Sequence, residues 1–187
     1  MLVLITEDVT PPVREMMDQL HIKYKEVEIL SVADEIFEAN KKIDKVTSVL
    51  WKNSYTKFEI FRLTEYDKIV FLDADIYVFH NLDDLFEKPH MTAALDGEYF
   101  GLWQNEPHFN SGCLVIEPSE ELYNNLIDFA QTVKFEKGQK SWVKLIADQE
   151  VLNLYYKNWP EHQELHLNKY YNIFSPYIKP EQYEDVE

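Results

Sequence analysis

Residues 68–79 read KIVFLDADIYVF, an apolar run with two carboxylates, Asp73 and Asp75, at its centre. Acids are poor strand formers and costly to bury without a partner. Residues 68–72 read as a buried strand, and the acids fall where that strand gives out. In an open α/β sheet, ligands gather at the carboxyl ends of strands. If the backbone stays extended, an i,i+2 pair projects both carboxylates to one side. Two hard oxygen donors converging there suit Mn²⁺ or Mg²⁺, which bridges to phosphate oxygens. Asp-x-Asp is also common in solvated turns. Apolar flanks on both sides argue against an ordinary surface loop here.

Strand and helix signals alternate around this stretch. Residues 2–5, LVLI, read as a buried strand. A helix follows from about Thr10, with Pro11-Pro12 in its first turn and Val13, Met16, Met17 and Leu20 as its stripe. Residues 24–30, YKEVEIL, read as a second strand, whereas 31–53 are polar and weakly patterned. Residues 55–66 place Tyr55, Phe58 and Phe61 at helical spacing before the Asp67 turn. Further on, HNLDDLFEK is a loop with a short helical turn, and MTAALD a strand. HFNSGCLVIEP (108–118) opens with turn residues and ends as an apolar strand stopped by Pro118. Ser119 then stands where a helix N-cap belongs, before Leu122, Leu126, Phe129 and Val133. Asp148 heads another helix over 148–157, and the Pro- and Tyr-rich tail reads as irregular. The alternation predicts an α/β/α sandwich with a mostly parallel central sheet.

Composition narrows the classes. At 187 residues the chain is expected to form a single domain, 1–187. An apolar fraction of 45% with 14% aromatics belongs to a folded chain. The 34 acids against 18 bases leave a net charge of −16. That balance argues against duplex binding, which draws its affinity from Lys and Arg. One nucleotide held through a metal ion stays compatible with it, because the ion supplies the positive charge locally. The single cysteine, Cys113, allows no internal disulfide and reads as core. The opening MLVLITEDV lacks a basic region and is too short for a signal-peptide core. No apolar run approaches the ~20 residues of a membrane span. A soluble, cytoplasmic protein is the expectation.

Phosphatases of the haloacid-dehalogenase type use the same two aspartates at the same spacing. They want Thr or Val two positions beyond the second Asp, where this chain has Tyr77, and a later Lys with an acidic pair. Lys68 precedes the motif and cannot be that Lys.

Four ordered blocks carry a closer resemblance. TKFEIFRLTEYDKIVFLDADIYVFHNLDDLF (56–86), FNSGCLVIEPS (109–119), DQEVLN (148–153) and YYN (170–172) resemble, in order and approximate spacing, the retaining glycosyltransferase family of glycogenin and galactinol synthase. The resemblance covers about residues 1–175. It implies the glycosyltransferase type A fold and a Mn²⁺-dependent transferase with a nucleotide-sugar donor and a glycan or protein acceptor. Matched position by position, it implies that Asp75 ligates the metal, with Asp73 near both metal and ribose. It implies further that Lys57 faces the diphosphate or donor sugar, and that Asn110 and Ser111 border the sugar and acceptor pocket. Asp148 and Gln149 are implied to lie beside the anomeric carbon.

Each of these residues also has a plainer reading. Asp148 is a good helix N-cap. Asn110-Ser111-Gly112 suits a turn entering a strand. Lys57 suits a solvated helix charge. The family's opening strand and loop, Thr-x-Asn-Asp-x-Tyr, and its closing His-Phe-x-Gly segment with a third metal ligand find no counterpart. This leaves open a fragment of a longer chain, a shortened member, or a member that has lost catalysis. Two functions follow as alternatives: a metal-dependent hexosyltransferase using a uridine diphosphate sugar, or an inactive sugar- or protein-binding module on the same fold.

Overall fold

The computed structural model describes residues 1–96, 107–136, 140 and 143–173. The irregular tail expected beyond residue 173 lies outside them. Strand β1 (Leu2–Ile5) leads through helix α1 (Pro11–Gln19) to β2 (Lys23–Glu26), which pairs with β1 in parallel. Pro11 and Pro12 occupy the first turn of α1, where a missing N–H is no loss. The weakly patterned stretch holds α2 (Asp34–Ile43) and α3 (Lys45–Leu50). Their signals were electrostatic rather than apolar. Asp34 and Glu35 open α2 and Lys41 and Lys42 close it, in line with the helix dipole. Asp44 caps α3 by accepting from the N–H groups of Val46 and Thr47.

The helix expected over 55–66 is a 3₁₀ segment, Ser54–Arg62. Its buried Tyr55, Phe58 and Phe61 recur every three residues, the period of a 3₁₀ turn. That winding stacks all three rings on one face and leaves Lys57 to point elsewhere.

Four more strands form one sheet in the order β3 (Ile69–Leu72), β5 (Phe109–Ile116), β4 (Ala93–Leu95), β6 (His166–Leu167). β5 runs antiparallel to β3 and β4, while β4 and β6 are parallel. The α/β layering matches expectation, and the four-stranded sheet is mixed. Strand direction is set by tertiary pairing, which local alternation does not encode.

Alternate residues of β5 feed two apolar clusters, as the pleat requires. Leu114 and Ile116 join Ile69 and Phe71 in the larger one, under the 3₁₀ segment, α4 (Glu120–Thr132) and α5 (Asp148–Tyr155). Cys113 and Val115 join Leu85, Ala94 and Leu167 in the smaller one on the opposite face. Cys113 is core, and burial pushes its thiol up to about 11. Ser119 caps α4 by accepting from the Leu122 N–H at 3.3 Å. Among the described residues, no helix is long and apolar enough to cross a membrane.

Candidate active site

The carboxyl end of β3 meets the opening residues of β5, because Leu72 pairs with Cys113 and the Asp73 N–H donates to the Gly112 carbonyl at 2.8 Å. The backbone does not stay extended through the acidic pair. The Ile76 N–H donates back to the Asp73 carbonyl at 3.1 Å, closing a turn. Asp73 is therefore half-buried and faces inward, while Asp75 stands exposed on the turn. The shared direction expected of an extended pair is replaced by one anchored carboxylate and one open to solvent.

Lys57 is not a solvated charge. Its ammonium lies 2.6 Å from Asp148 Oδ2, 3.1 Å from Asp73 Oδ1 and 3.0 Å from Ser111 Oγ. Burial opposes its charge, but the Asp148 and Asp73 carboxylates outweigh this and raise its pKa. Burial likewise raises the pKa of Asp73, against the pull of Lys57. Ser111 also donates its hydroxyl to Asp148 Oδ2 at 3.0 Å. One cation thus joins residues from the 3₁₀ segment, the end of β3, β5 and α5.

Asn110-Ser111-Gly112 lies within β5, not in a turn before it. The register between β4 and β5 shifts between Ala93 and Leu95, beside these residues. Gly112 admits close approach: a Cβ there would come 3.0 Å from Asn110 Oδ1 and 3.2 Å from Asp73 Oδ2. Asn110 Oδ1 accepts from the Gly112 N–H at 2.8 Å and from Asn172 Nδ2 at 2.7 Å, drawing the YYN block into the site.

Asp148 is the first residue of α5 and not its cap; Ala147 is the capping residue. Glu150 Oε2 accepts the Ala147 N–H at 3.0 Å, and the Asp148 N–H donates to Ser54 Oγ at 3.2 Å. With the helix start satisfied by others, the Asp148 carboxylate is free to face Lys57. Gln149 accepts the Ser111 N–H on Oε1 at 3.0 Å and donates Nε2 to Asp96 Oδ2 at 3.2 Å.

Asp96 was not singled out from the sequence. It ends the apolar MTAAL run as Asp73 ends KIVFL, so an acid at a strand's carboxyl end was the available signal. It accepts from His108 Nε2 at 3.0 Å, Asn110 Nδ2 at 3.2 Å and Gln149. Burial opposes its ionisation, yet these bonds hold its carboxyl below the usual range. His108 was likewise missed, and Asn172 stood only in the YYN block that carries the resemblance, with no role of its own. All seven residues predicted for the site lie at this end of the sheet, with Asp75 at its exposed rim.

The arrangement offers an acidic rim, a buried ammonium shared by two carboxylates, and an amide fixed at both ends. Residues 1–186 match the family described as Glycosyl transferase family 8. Glycogenin-1 of Caenorhabditis elegans is 35% identical over 156 residues, which are 83% of this chain and 32% of that protein. Human glycogenin-1 is 31% identical over 177 residues, 94% of this chain and 45% of that protein. UDP-glucuronate:xylan alpha-glucuronosyltransferase 1 of Arabidopsis thaliana is 32% identical over 126 residues, 66% of this chain and 16% of that protein. The chain thus spans less than half the length of these relatives. The match runs nearly end to end, and the chain belongs to glycosyl transferase family 8, with the type A fold that this membership implies.

Proposed function

We propose that the protein is a metal-dependent retaining glycosyltransferase, moving a hexose from a uridine diphosphate sugar to a glycan or protein acceptor. The observation that supports this most is the Lys57 ammonium shared by Asp73 and Asp148. It couples the carboxylate pair at the end of β3 to the start of α5. The name of the xylan relative gives UDP-glucuronate as its donor, which supports the uridine nucleotide.

The donor set fits a divalent ion, Mn²⁺ or Mg²⁺. Asp73 and Asp75 are two hard carboxylates on one tight turn, and the Asp75 charge bears on Asp73. Among the described residues, no group of three His, Cys, Asp or Glu converges. Phosphate oxygens and water would complete the shell, as is usual for such ions. When bound, the ion offsets negative charge on the departing diphosphate.

The chain's own groups do the rest. Lys57 supplies a second positive charge to the diphosphate, held in place by its two carboxylates. Asp148 accepts hydrogen bonds from sugar hydroxyls. Gln149 faces the anomeric centre with an amide that Ser111 and Asp96 hold still, and stabilises positive charge without bonding to it. The bond from the anomeric carbon to the diphosphate oxygen breaks, and a bond to the acceptor oxygen forms on the same face. The acceptor's proton passes to the departing diphosphate oxygen, so configuration is kept with no covalent enzyme intermediate.

The variant Asp75→Ala tests the reading, since an exposed side chain can be removed without disturbing the core. Metal-dependent turnover of UDP-sugar should fall at least ~100-fold with an unchanged circular dichroism spectrum. Chelation should abolish turnover, and added Mn²⁺ or Mg²⁺ should restore it. Parent-like turnover by the variant would refute the site. Glycan binding without metal, nucleotide binding or turnover would instead make the chain a binding module on this fold.

A further inference from the structure

Helix α3 is amphipathic in reverse. Val46, Val49 and Leu50 stand at i, i+3 and i+4, the spacing of one helix face, yet all three are exposed, Val46 by 72% and Leu50 by 75%. The residue turned inward is the small Ser48, whose hydroxyl donates to the Lys45 carbonyl at 3.0 Å. Ile43 at the end of α2 and Trp51 at the C-cap of α3 are exposed as well and extend the face. Five large apolar side chains thus meet water within residues 43–51. An exposed patch of this kind marks an interaction surface.

Charge marks the same segment. Residues 41–52, KKIDKVTSVLWK, hold four of the chain's 18 bases and one of its 34 acids. That acid, Asp44, is engaged in capping α3 through Val46 and Thr47. Lys41 and Lys52 reach the Phe37 ring from the two ends of the segment, each with Nζ 5.4 Å from its centroid. Lysines therefore border the apolar face. Lys41 pairs with Glu38 at 2.9 Å, whereas Lys42 and Lys45 have no ion-pair partner among the described residues.

We infer that the α2–α3 face docks the protein on an anionic lipid bilayer. Val46, Val49, Leu50 and Trp51 enter the headgroup boundary, and Lys42 and Lys45 meet acidic headgroups. Such docking does not depend on the transferase reading. Two observations favour a bilayer over a protein partner. Side chains as exposed as Val46 and Leu50 stand up as a ridge rather than lining a groove, and a bilayer yields to any shape. A second copy related by a two-fold axis would set Lys42 and Lys45 against their own counterparts, like charge against like. The rest of the chain is acidic and is repelled by an anionic surface, so the lysine-bordered segment is the face that approaches it.

The experiment is co-sedimentation of the full chain with vesicles of equimolar phosphatidylcholine and phosphatidylserine, and with vesicles of phosphatidylcholine alone. The parent should bind the anionic vesicles, come off them as salt rises, and ignore the neutral ones. Two double variants, each checked for fold by circular dichroism, divide the face. Val46→Ser/Leu50→Ser removes its apolar contact, and Lys42→Glu/Lys45→Glu reverses its charge. Each should weaken binding to anionic vesicles about tenfold or more. No binding by the parent, equal binding to neutral vesicles, or parent-like binding by either variant overturns the inference. A parent dimer that Val46→Ser/Leu50→Ser dissolves, with no vesicle binding, would assign the face to a second copy of the chain and also overturns it. Capture by soluble polyglutamate without vesicle binding would assign it to an acidic protein, with the same result.

Discussion

Asp96 illustrates how one side chain governs another's orientation. In the proposed reaction Gln149 could present either its oxygen or its nitrogen to the sugar, and nothing in a lone amide prefers one. Asp96 accepts from Gln149 Nε2, which leaves Oε1 to receive the Ser111 N–H. His108 and Asn110 fix Asp96 in turn. Removing this acceptor frees the amide to rotate while Asp148, Lys57 and Asp73 keep their contacts. In Asp96→Ala, kcat should therefore fall by up to about 100-fold, while donor affinity changes little. Initial-rate kinetics with a calorimetric donor Kd separates these quantities. Equal losses in both would show that Asp96 acts by holding the fold together. Asp73 and Asp75 were legible in the sequence because an apolar strand frames them, and Lys57 and Asp148 only through the family resemblance. Asp96, His108 and Asn172 were not, because their meaning arises only when β4, β5 and the 170–172 block come together.

At the level of elements, α5 is joined to β5 by an asparagine that imitates a strand. Asn153 accepts the Phe109 N–H on Oδ1 at 2.9 Å and donates Nδ2 to the Phe109 carbonyl at 2.8 Å. This reciprocal pair holds the helix start, with Asp148 and Gln149, against Ser111. Asn40 does the same for α2, exchanging both bonds with the Ile146 backbone. Replacing Asn153 by Ala strands two buried backbone groups, each costing about 1–3 kcal/mol. Urea unfolding should show a loss of roughly 2–4 kcal/mol; a loss below ~1 kcal/mol would show that water substitutes for the amide. The sequence block DQEVLN contained this residue, but an Asn in a helix pattern carries no local sign of a partner 44 positions away. For the same reason α4 and its Ser119 cap could be read directly, whereas the 3₁₀ winding of 54–62 and the direction of β5 could not. Caps are local chemistry; strand direction and helix tightening answer to what is packed against them.

Across the whole molecule, stability and pH are linked through Glu150. Burial raises its carboxyl from 4.5 to about 7. Between those values the folded chain holds a proton that the unfolded chain releases. The free energy of unfolding therefore falls as pH rises through that window, by about 3 kcal/mol at most. In Glu150→Gln, which keeps an oxygen for the Ala147 N–H, this part of the slope should vanish, with the variant gaining on the parent above pH 7. Urea unfolding at pH 5 and pH 8 measures the difference. The distribution of burial along the chain has a separate consequence. Helix α1 buries none of its residues, β2 is largely exposed, and β5 is buried at every position but Asn110. Segments with little burial open locally, whereas deeply packed strands open only when the whole fold does. Amide hydrogens in residues 2–26 should accordingly exchange with deuterium orders of magnitude faster than those of β5, as mass spectrometry can follow. Every residue of the proposed site lies at Lys57 or later, so the β1–α1–β2 unit can breathe, and take up heat or denaturant first, while the end of the four-stranded sheet that holds the proposed site stays assembled.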